Sequence, residues 1–172
     1  NATHYILSAA KKINDKIKFL FAGSSEMFGD VKNIPINEDT SFDPKSAYGI
    51  SKVSSHYLIK SYRETFKMHA STSILFNHES PRKDIQFVGR KISYSVAKIK
   101  KGLQKKLELG NLKSNRDWGH AKDYVKAMWL MTQQKNADDF IIGSGALHSV
   151  EEFADKAFSH VGLNYKDFID LN

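Results

Sequence analysis

Apolar residues recur along the chain at two spacings, and the spacing changes from one segment to the next. Tyr5, Ile6, Ala9, Ala10 and Ile13 return every three or four residues, which predicts an amphipathic helix over residues 2–14. Lys18-Phe19-Leu20-Phe21-Ala22 is a short continuous apolar run, the pattern of a strand buried on both faces. A turn-rich stretch with Gly29, Asp30, Asn33, Pro35, Asp43 and Pro44 follows. Residues 47–66 read as a helix with Val53, Tyr57, Leu58 and Tyr62 on one side. Residues 71–76 read as a strand, and 87–101 as a helix carrying Ile92, Val96 and Ile99. A short strand over 106–109, a helix over 121–134 and a strand over 140–142 complete the middle of the chain. Ser149-Val150-Glu151-Glu152 has the form of a capping box and opens a last helix over 150–161.

Strands and helices alternate without internal repeats or a linker, which predicts an α/β fold built on a parallel sheet. A nucleotide-binding α/β domain normally opens with a strand and a glycine-rich turn. This sequence begins in a helix and holds neither G-x-G-x-x-G nor G-x-x-G-x-x-G. Residues 165–172 are expected to stop without a turn or a finished element. The sequence therefore reads as the middle of something longer.

Composition narrows the classes. With 172 residues and 41% hydrophobic content, the chain can bury a sizeable core. It has no cysteine, so disulfide scaffolds, zinc ribbons and thiol nucleophiles are excluded. Its apolar runs fall far short of the roughly 20 residues that span a bilayer, and no signal peptide is expected at its start. The expectation is a soluble, cytoplasmic protein with no membrane partner. Lys+Arg 26 against Asp+Glu 19 gives a net charge of +7. Much of this excess lies between Lys98 and Lys106, which reads as the solvated C-terminal end of a helix, where lysines suit the helix dipole. Aromatics do not alternate with these lysines, and no zinc-finger or helix-turn-helix signature appears, so no nucleic-acid partner is expected.

Three features carry chemistry. Gly23-Ser24-Ser25-Glu26 follows the first buried strand, and α/β sheets place their active sites at such strand ends. Tyr48-Gly49-Ile50-Ser51-Lys52 puts a phenol and an ammonium one helical turn apart, where the cation favours the phenolate and suits a general base. Phe76-Asn77-His78-Glu79-Ser80-Pro81-Arg82-Lys83 follows a second strand. Arg116-Asp117-Trp118-Gly119-His120 carries an arginine able to grip a diphosphate in bidentate fashion. His78 and His120 lie near acids, but no H-E-x-x-H or similar ligand spacing occurs, so no metal is expected.

These segments, with Met27-Phe28-Gly29, Leu75 and Ala121-Lys122-Asp123-Tyr124, closely resemble the GDP-mannose 4,6-dehydratase family of extended short-chain dehydrogenases/reductases. The resemblance covers essentially the whole chain. It implies a Rossmann-like parallel sheet with helices on both faces, without its N-terminal glycine-rich part, plus part of a smaller C-terminal substrate-binding domain. Residues 1–80 would belong to the NADP-binding domain with the catalytic residues. Residues 81–172 would be mainly substrate-binding, with a strand and helix returning to the Rossmann-like sheet.

The implied reaction converts GDP-mannose to GDP-4-dehydro-6-deoxymannose by internal hydride transfer through NADP. The resemblance makes Ser24, Glu26, Tyr48 and Lys52 the catalytic set, with Tyr48, Lys52, His78 and Lys83 beside the cofactor. Ser25, Asn77, Val88, Lys91 and Arg116 would contact the GDP-sugar. It also implies a homodimer or homotetramer. Serine at position 25 leaves Glu26 to serve both proton removal and water loss, where related sugar dehydratases often carry Asp-Glu. Epimerases of the superfamily usually lack an acid there, and Glu26 with Arg116-Asp117-Trp118 argues against them. An idle fragment or a basic nucleic-acid-binding module is the non-enzyme alternative. Lys83, Asp84 and Gly89 stand where the family commonly has arginine, glycine and threonine.

Overall fold

The helical period at the start of the chain becomes α1, Ala2–Ile13, and the first apolar run becomes β1, Phe19–Ala22. The structure is a computed structural model that describes residues 2–14, 16–31 and 35–171; Asn33 of the expected turn-rich stretch and Asn172 lie outside the described residues. Further elements are α2 (Ala47–Phe66), β2 (Ala70–Leu75), β3 (Asn77–Glu79), α3 (Val88–Lys100), β4 (Leu107–Leu109), β5 (Asn115–His120), α4 (Ala121–Gln133), β6 (Phe140–Ile142), β7 (Leu147–Ser149), α5 (Val150–His160) and β8 (Ile169–Leu171). Two units result, one of residues 1–76 and 122–143, the other of residues 77–121 and 144–172.

The first unit is built on a parallel sheet in the order β1-β2-β6. Phe19 pairs with Ala70 and Ala22 with Ser73, while Ser73 also pairs with Phe140 on the other side. The central strand β2 is buried over its whole length except Leu75. Leu7 and Ala10 of α1 meet Ile59 and Tyr62 of α2 in one apolar cluster with Met68 and Ala70. Burying such side chains contributes on the order of 1.5–3 kcal/mol each.

The apolar stripes differ from the expected ones. Tyr5, Ile6 and Ile13 of α1 stay exposed, and so does Tyr57 of α2. The buried face of α2 is Gly49, Ser55, His56, Ile59 and Tyr62. Ser55 and His56 turn inward because partners await them: Thr3 Oγ1 donates to Ser55 Oγ at 3.0 Å, and His56 Nδ1 lies 3.1 Å from Thr72 Oγ1. A count of apolar residues misplaces a helix face whose buried polar groups are hydrogen-bonded.

The second unit holds strands the periodicity did not reveal. β3, β5 and β7 form a sheet in that order, with β3 parallel to β5 and β7 antiparallel to it. β3 and β7 are three residues long and β5, though six, is mostly polar; all three are partly exposed, so they lack an apolar run. The end of the chain also corrects the expectation: Tyr165–Asp167 form a 3₁₀ turn, and β8 pairs in parallel with β4. Ile92, Val96 and Ile99 of α3 pack with Leu107, Leu109, Val150, Ala154 and Phe158 in one core. α3 ends with Lys98 and Lys100 in its last turn, as its basic stretch predicts. The capping box at Ser149 and Glu152 forms as expected. No helix among the described residues is long and apolar enough to cross a membrane.

Candidate active site

Beyond β1 the chain turns out of the sheet. Ser24 is extended and caps a 3₁₀ turn, Ser25–Met27, its Oγ accepting from the Glu26 amide at 3.3 Å. Met27 and Phe28 bury their side chains and anchor the turn, while Glu26 is exposed. α2 starts at the N-cap Ser46, whose Oγ accepts from Gly49 N at 3.0 Å.

Gly49 carries the join between these two pieces. A Cβ there would stand 2.7 Å from the carbonyl oxygen of Glu26 and 3.0 Å from Pro44 Cβ. Only glycine lets the first turn of α2 lie against the backbone of the Glu26 turn. Flanking it, Tyr48 is 54% exposed, and Lys52 donates from Nζ to the Ala22 carbonyl at 2.8 Å. That Nζ lies 5.4 Å from the centroid of the Tyr48 ring and 5.0 Å from that of Phe21. Ser24, Ser25, Glu26, Tyr48 and Lys52 are thus gathered around the C-terminal end of β1. The glycine inside the Tyr-x-x-x-Lys spacing was the available signal for this packing.

About three turns further along α2 lies a polar group that the sequence did not single out. Arg63 donates to both oxygens of Asp139, from Nη1 at 2.9 Å and from Nη2 at 2.6 Å, and also from Nη1 to Ala70 O at 2.8 Å. Asp139 Oδ1 accepts from the Thr72 amide at 2.7 Å. Burial alone would raise the Asp139 carboxyl, but the Arg63 bond and charge, the Thr72 amide and His56 hold it below its usual range. Burial lowers His56, against the pull of Asp139 and with the help of Arg63 and Lys60.

The second unit carries its own polar set. Asn77 and His78 lie on β3, opposite Trp118 and Gly119. Lys83 Nζ donates to Glu79 Oε1 at 2.8 Å and to His78 O at 3.0 Å, and sits 4.8 Å from the centroid of the Phe87 ring. The Glu79 carboxylate also presses on α3: a Cβ on Gly89 would stand 2.9 Å from its Oε2. Val88 packs against the core and Lys91 is exposed one turn along. Arg116 is exposed on β5 and donates from Nη1 to Asn115 O at 2.7 Å.

The family profile described as GDP-mannose 4,6 dehydratase matches residues 1–170. The chain belongs to the GDP-mannose 4,6-dehydratase family. It is 49% identical over 156 residues to GDP-mannose 4,6 dehydratase 2 of Arabidopsis thaliana, covering 91% of this chain and 42% of that protein. Against the GDP-mannose 4,6 dehydratase of Homo sapiens it is 50% identical over 148 residues, covering 86% and 40%. The chain therefore spans about two fifths of the length of these curated relatives.

Solved structures share its fold. RMD from Pseudomonas aeruginosa complexed with NADPH superposes with a TM-score of 0.93 at 24% identity, over 99% of this chain and 58% of that one. A dTDP-glucose 4,6-dehydratase from Bacillus anthracis in complex with NAD gives 0.88 at 23% identity, over 99% and 53%. The fold is α/β and Rossmann-like.

The residues named by the family resemblance divide between the two units. Ser24, Ser25, Glu26, Tyr48 and Lys52 fall in the first, and Asn77, His78, Lys83, Val88, Lys91 and Arg116 in the second. This GDP-mannose 4,6-dehydratase family member thus carries its acid, phenol and lysine within one unit.

Proposed function

We propose that the chain supplies the catalytic strand end and part of the sugar-nucleotide site of a GDP-mannose 4,6-dehydratase, which eliminates water from GDP-mannose to give GDP-4-dehydro-6-deoxymannose. The observation that carries this reading is the packing of the Tyr48-Gly49 turn on the Glu26 backbone, with Lys52 bound to the last carbonyl of β1. A carboxylate, a phenol and an ammonium meet there at the end of a parallel strand.

Tyr48 accepts the proton of the sugar C4 hydroxyl, and Ser24 donates its hydroxyl proton to the C4 oxygen while its Oγ keeps accepting the cap bond from the Glu26 amide. Oxidation at C4 acidifies the C5 proton, which Glu26 removes and delivers to the departing C6 hydroxyl; as hydride adds to C6, C5 regains a proton through Glu26 while Tyr48 gives up the one it took, so the protons balance. The exposure of Glu26 suits a group that must reach two neighbouring carbons. Phenol, imidazole and ammonium groups supply donors for ribose hydroxyls and phosphates, so Tyr48, Lys52, His78 and Lys83 fit as the residues that would hold NADP. When bound, NADP would supply the hydride acceptor for C4 and the hydride donor for C6, and would be regenerated within each turnover. Ser25, Asn77, Val88, Lys91 and Arg116 bind GDP-mannose, with Arg116 on the diphosphate.

The same proposal includes self-association and a cytoplasmic location. Tyr5 of α1 and Tyr57 of α2 are 72% and 56% exposed and line one shallow apolar cleft with Leu58. An apolar patch of this kind fits a second copy of the chain in a homodimer or homotetramer. The absence of cysteine agrees with the cytoplasm.

The test incubates GDP-mannose and NADP with the 172 residues, and with a form extended by the flanking segments of the Arabidopsis relative, and looks for the 4-keto sugar. Water loss is expected from the extended form, and its absence overturns the assignment. Glu26→Gln is expected to retain sugar binding and lose elimination by at least a factor of about 100, the scale of a lost general acid–base group. Full turnover by Glu26→Gln removes the role given to that residue.

A further inference from the structure

Along β5, Arg116 is exposed and the next residue, Asp117, is 7% exposed. The buried carboxylate is taken up by one loop. Asp117 Oδ1 accepts from the Ser144 amide at 2.8 Å and from the Ser144 hydroxyl at 2.7 Å, and Oδ2 accepts from the Gly145 amide at 2.8 Å. Gly145 has φ of +78°, a conformation that places successive amides on the same anion and that favours glycine. Nothing lies within 4 Å of a Cβ at that position, so the backbone conformation, not space, calls for glycine.

The loop leads directly into β7, which pairs with β5 in antiparallel register: Asp117 opposite Leu147, Arg116 opposite His148, Asn115 opposite Ser149. Strand side chains alternate between faces, so a slip of one residue would turn Arg116 inward and Asp117 outward. Apolar burial specifies this register weakly, because β7 is only three residues long and Leu147 is 66% exposed. Beside the β3 pairing of residues 118–120 and the bonds from Val150 N to Ser114 O and Glu151 N to Leu112 O, the three charge-assisted hydrogen bonds to Asp117 are the side-chain contacts that favour the observed register over its neighbours.

We infer that Asp117 is a positioning residue for anion recognition: it pins the β5–β7 register and so presents Arg116 to a diphosphate. Its charge is directed to the loop amides, which leaves the adjacent guanidinium facing outward for a ligand. The inference rests on the proposed role of Arg116 at the GDP diphosphate, and GDP and guanosine separate the two claims.

Both ligands are titrated into the chain by calorimetry. The wild type is expected to prefer GDP over guanosine. Asp117→Asn replaces one acceptor oxygen with a donor and is expected to lower GDP affinity on the order of tenfold while guanosine affinity holds, since hydrogen bonds to a charged group contribute on that scale. Ser144→Ala removes a single bond and is expected to lower GDP affinity by about two- to fivefold; it also serves if Asp117→Asn fails to fold. In an Arg116→Met background, Asp117→Asn is expected to leave the remaining GDP preference unchanged, as required if it acts through Arg116. Equal losses for GDP and guanosine, or an unchanged preference in both Asp117→Asn and Ser144→Ala, overturn the inference. A wild-type chain that binds GDP no better than guanosine overturns the role of Arg116, and the inference falls with it.

Discussion

The strand β2 of the first unit and the strand β5 of the second are each six residues long, and they are held by different means. β2 is enclosed over nearly its whole length between two parallel neighbours, and its buried Thr72 and Ser73 are held there by bonds from the Thr72 amide to Asp139 Oδ1 and from Ser73 Oγ to Phe21 O. β5 is exposed at Asn115, Arg116 and His120, and single polar residues do the selecting: Asp117 binds a loop, and Ser149 caps the helix that follows β7. The first unit can therefore carry its reactive groups in contiguous motifs at a strand end. The second presents its polar residues from short strands and turns whose placement depends on a few hydrogen bonds.

The sharpest way to test that contrast is to remove the charged anchor between α2 and Asp139 in the first unit. Asp139→Ala leaves the Arg63 guanidinium, whose side chain is only 16% exposed, without its carboxylate and with Ala70 O as its remaining partner. Breaking a pair of this kind costs about 3–5 kcal/mol. Hydrogen exchange should show the loss in α2 and β2, with amides of β5 and β7 keeping their protection. Equal loss across both units would mean that their stabilities are not separable.

A smaller effect is expected where the Glu26 turn meets α2. Gly49→Ala puts a methyl 2.7 Å from the Glu26 carbonyl oxygen, and that neighbour is backbone and cannot rotate away. Overpacking of this order costs about 1–3 kcal/mol. Because the displaced piece carries Glu26, turnover of the extended form should fall more than stability alone explains. Unchanged kcat and unfolding midpoint in Gly49→Ala would show that the two turns are not in contact.

Acid should weaken the first unit in two steps. His56 titrates below its ordinary 6.5, chiefly through burial, so the unfolded chain binds more protons as pH falls through 6.5 and stability declines there. Asp139, held below its ordinary 3.8, contributes stability above that value and loses it as pH falls through its lower folded-state range. One proton limits each slope to about 1.4 kcal/mol per pH unit. His56→Gln should abolish the upper step in a series of unfolding curves between pH 7.5 and 5, and its persistence would assign that step elsewhere.

The same contrast explains what could be read from the sequence. α2 was legible to its end residues and β1 nearly so, because helical spacing and a continuous apolar run leave a signature, although β1 is only partly buried where burial on both faces was expected. The inward turn of Ser55 and His56 was not, since it depends on Thr3 and Thr72, distant in sequence. β3, β5 and β7 escaped because short, half-exposed strands carry no apolar period, and β8 because its three residues gain meaning only beside β4. Tyr48, Lys52 and Glu26 were legible as local patterns, whereas their meeting at Gly49 depends on the Glu26 backbone, 23 residues away in sequence.

The smallest expected effect lies at the start of α5, where the second unit again relies on hydrogen bonds. Ser149 Oγ accepts from the Glu152 amide at 3.0 Å, and Glu152 Oε2 accepts from the Ser149 amide at 3.2 Å. The two preceding helix amides already have partners, Val150 N donating to Ser114 O and Glu151 N to Leu112 O, each at 3.0 Å. Ser149→Ala therefore leaves one first-turn donor without its acceptor, and the expected cost is about 1 kcal/mol. Denaturant unfolding measures it, and hydrogen exchange should localise it to the Glu152 amide. A loss above about 2 kcal/mol would exceed a cap. It would mean that Ser149, which faces Asn115 across the β5–β7 ladder, shares with Asp117 the work of fixing that register.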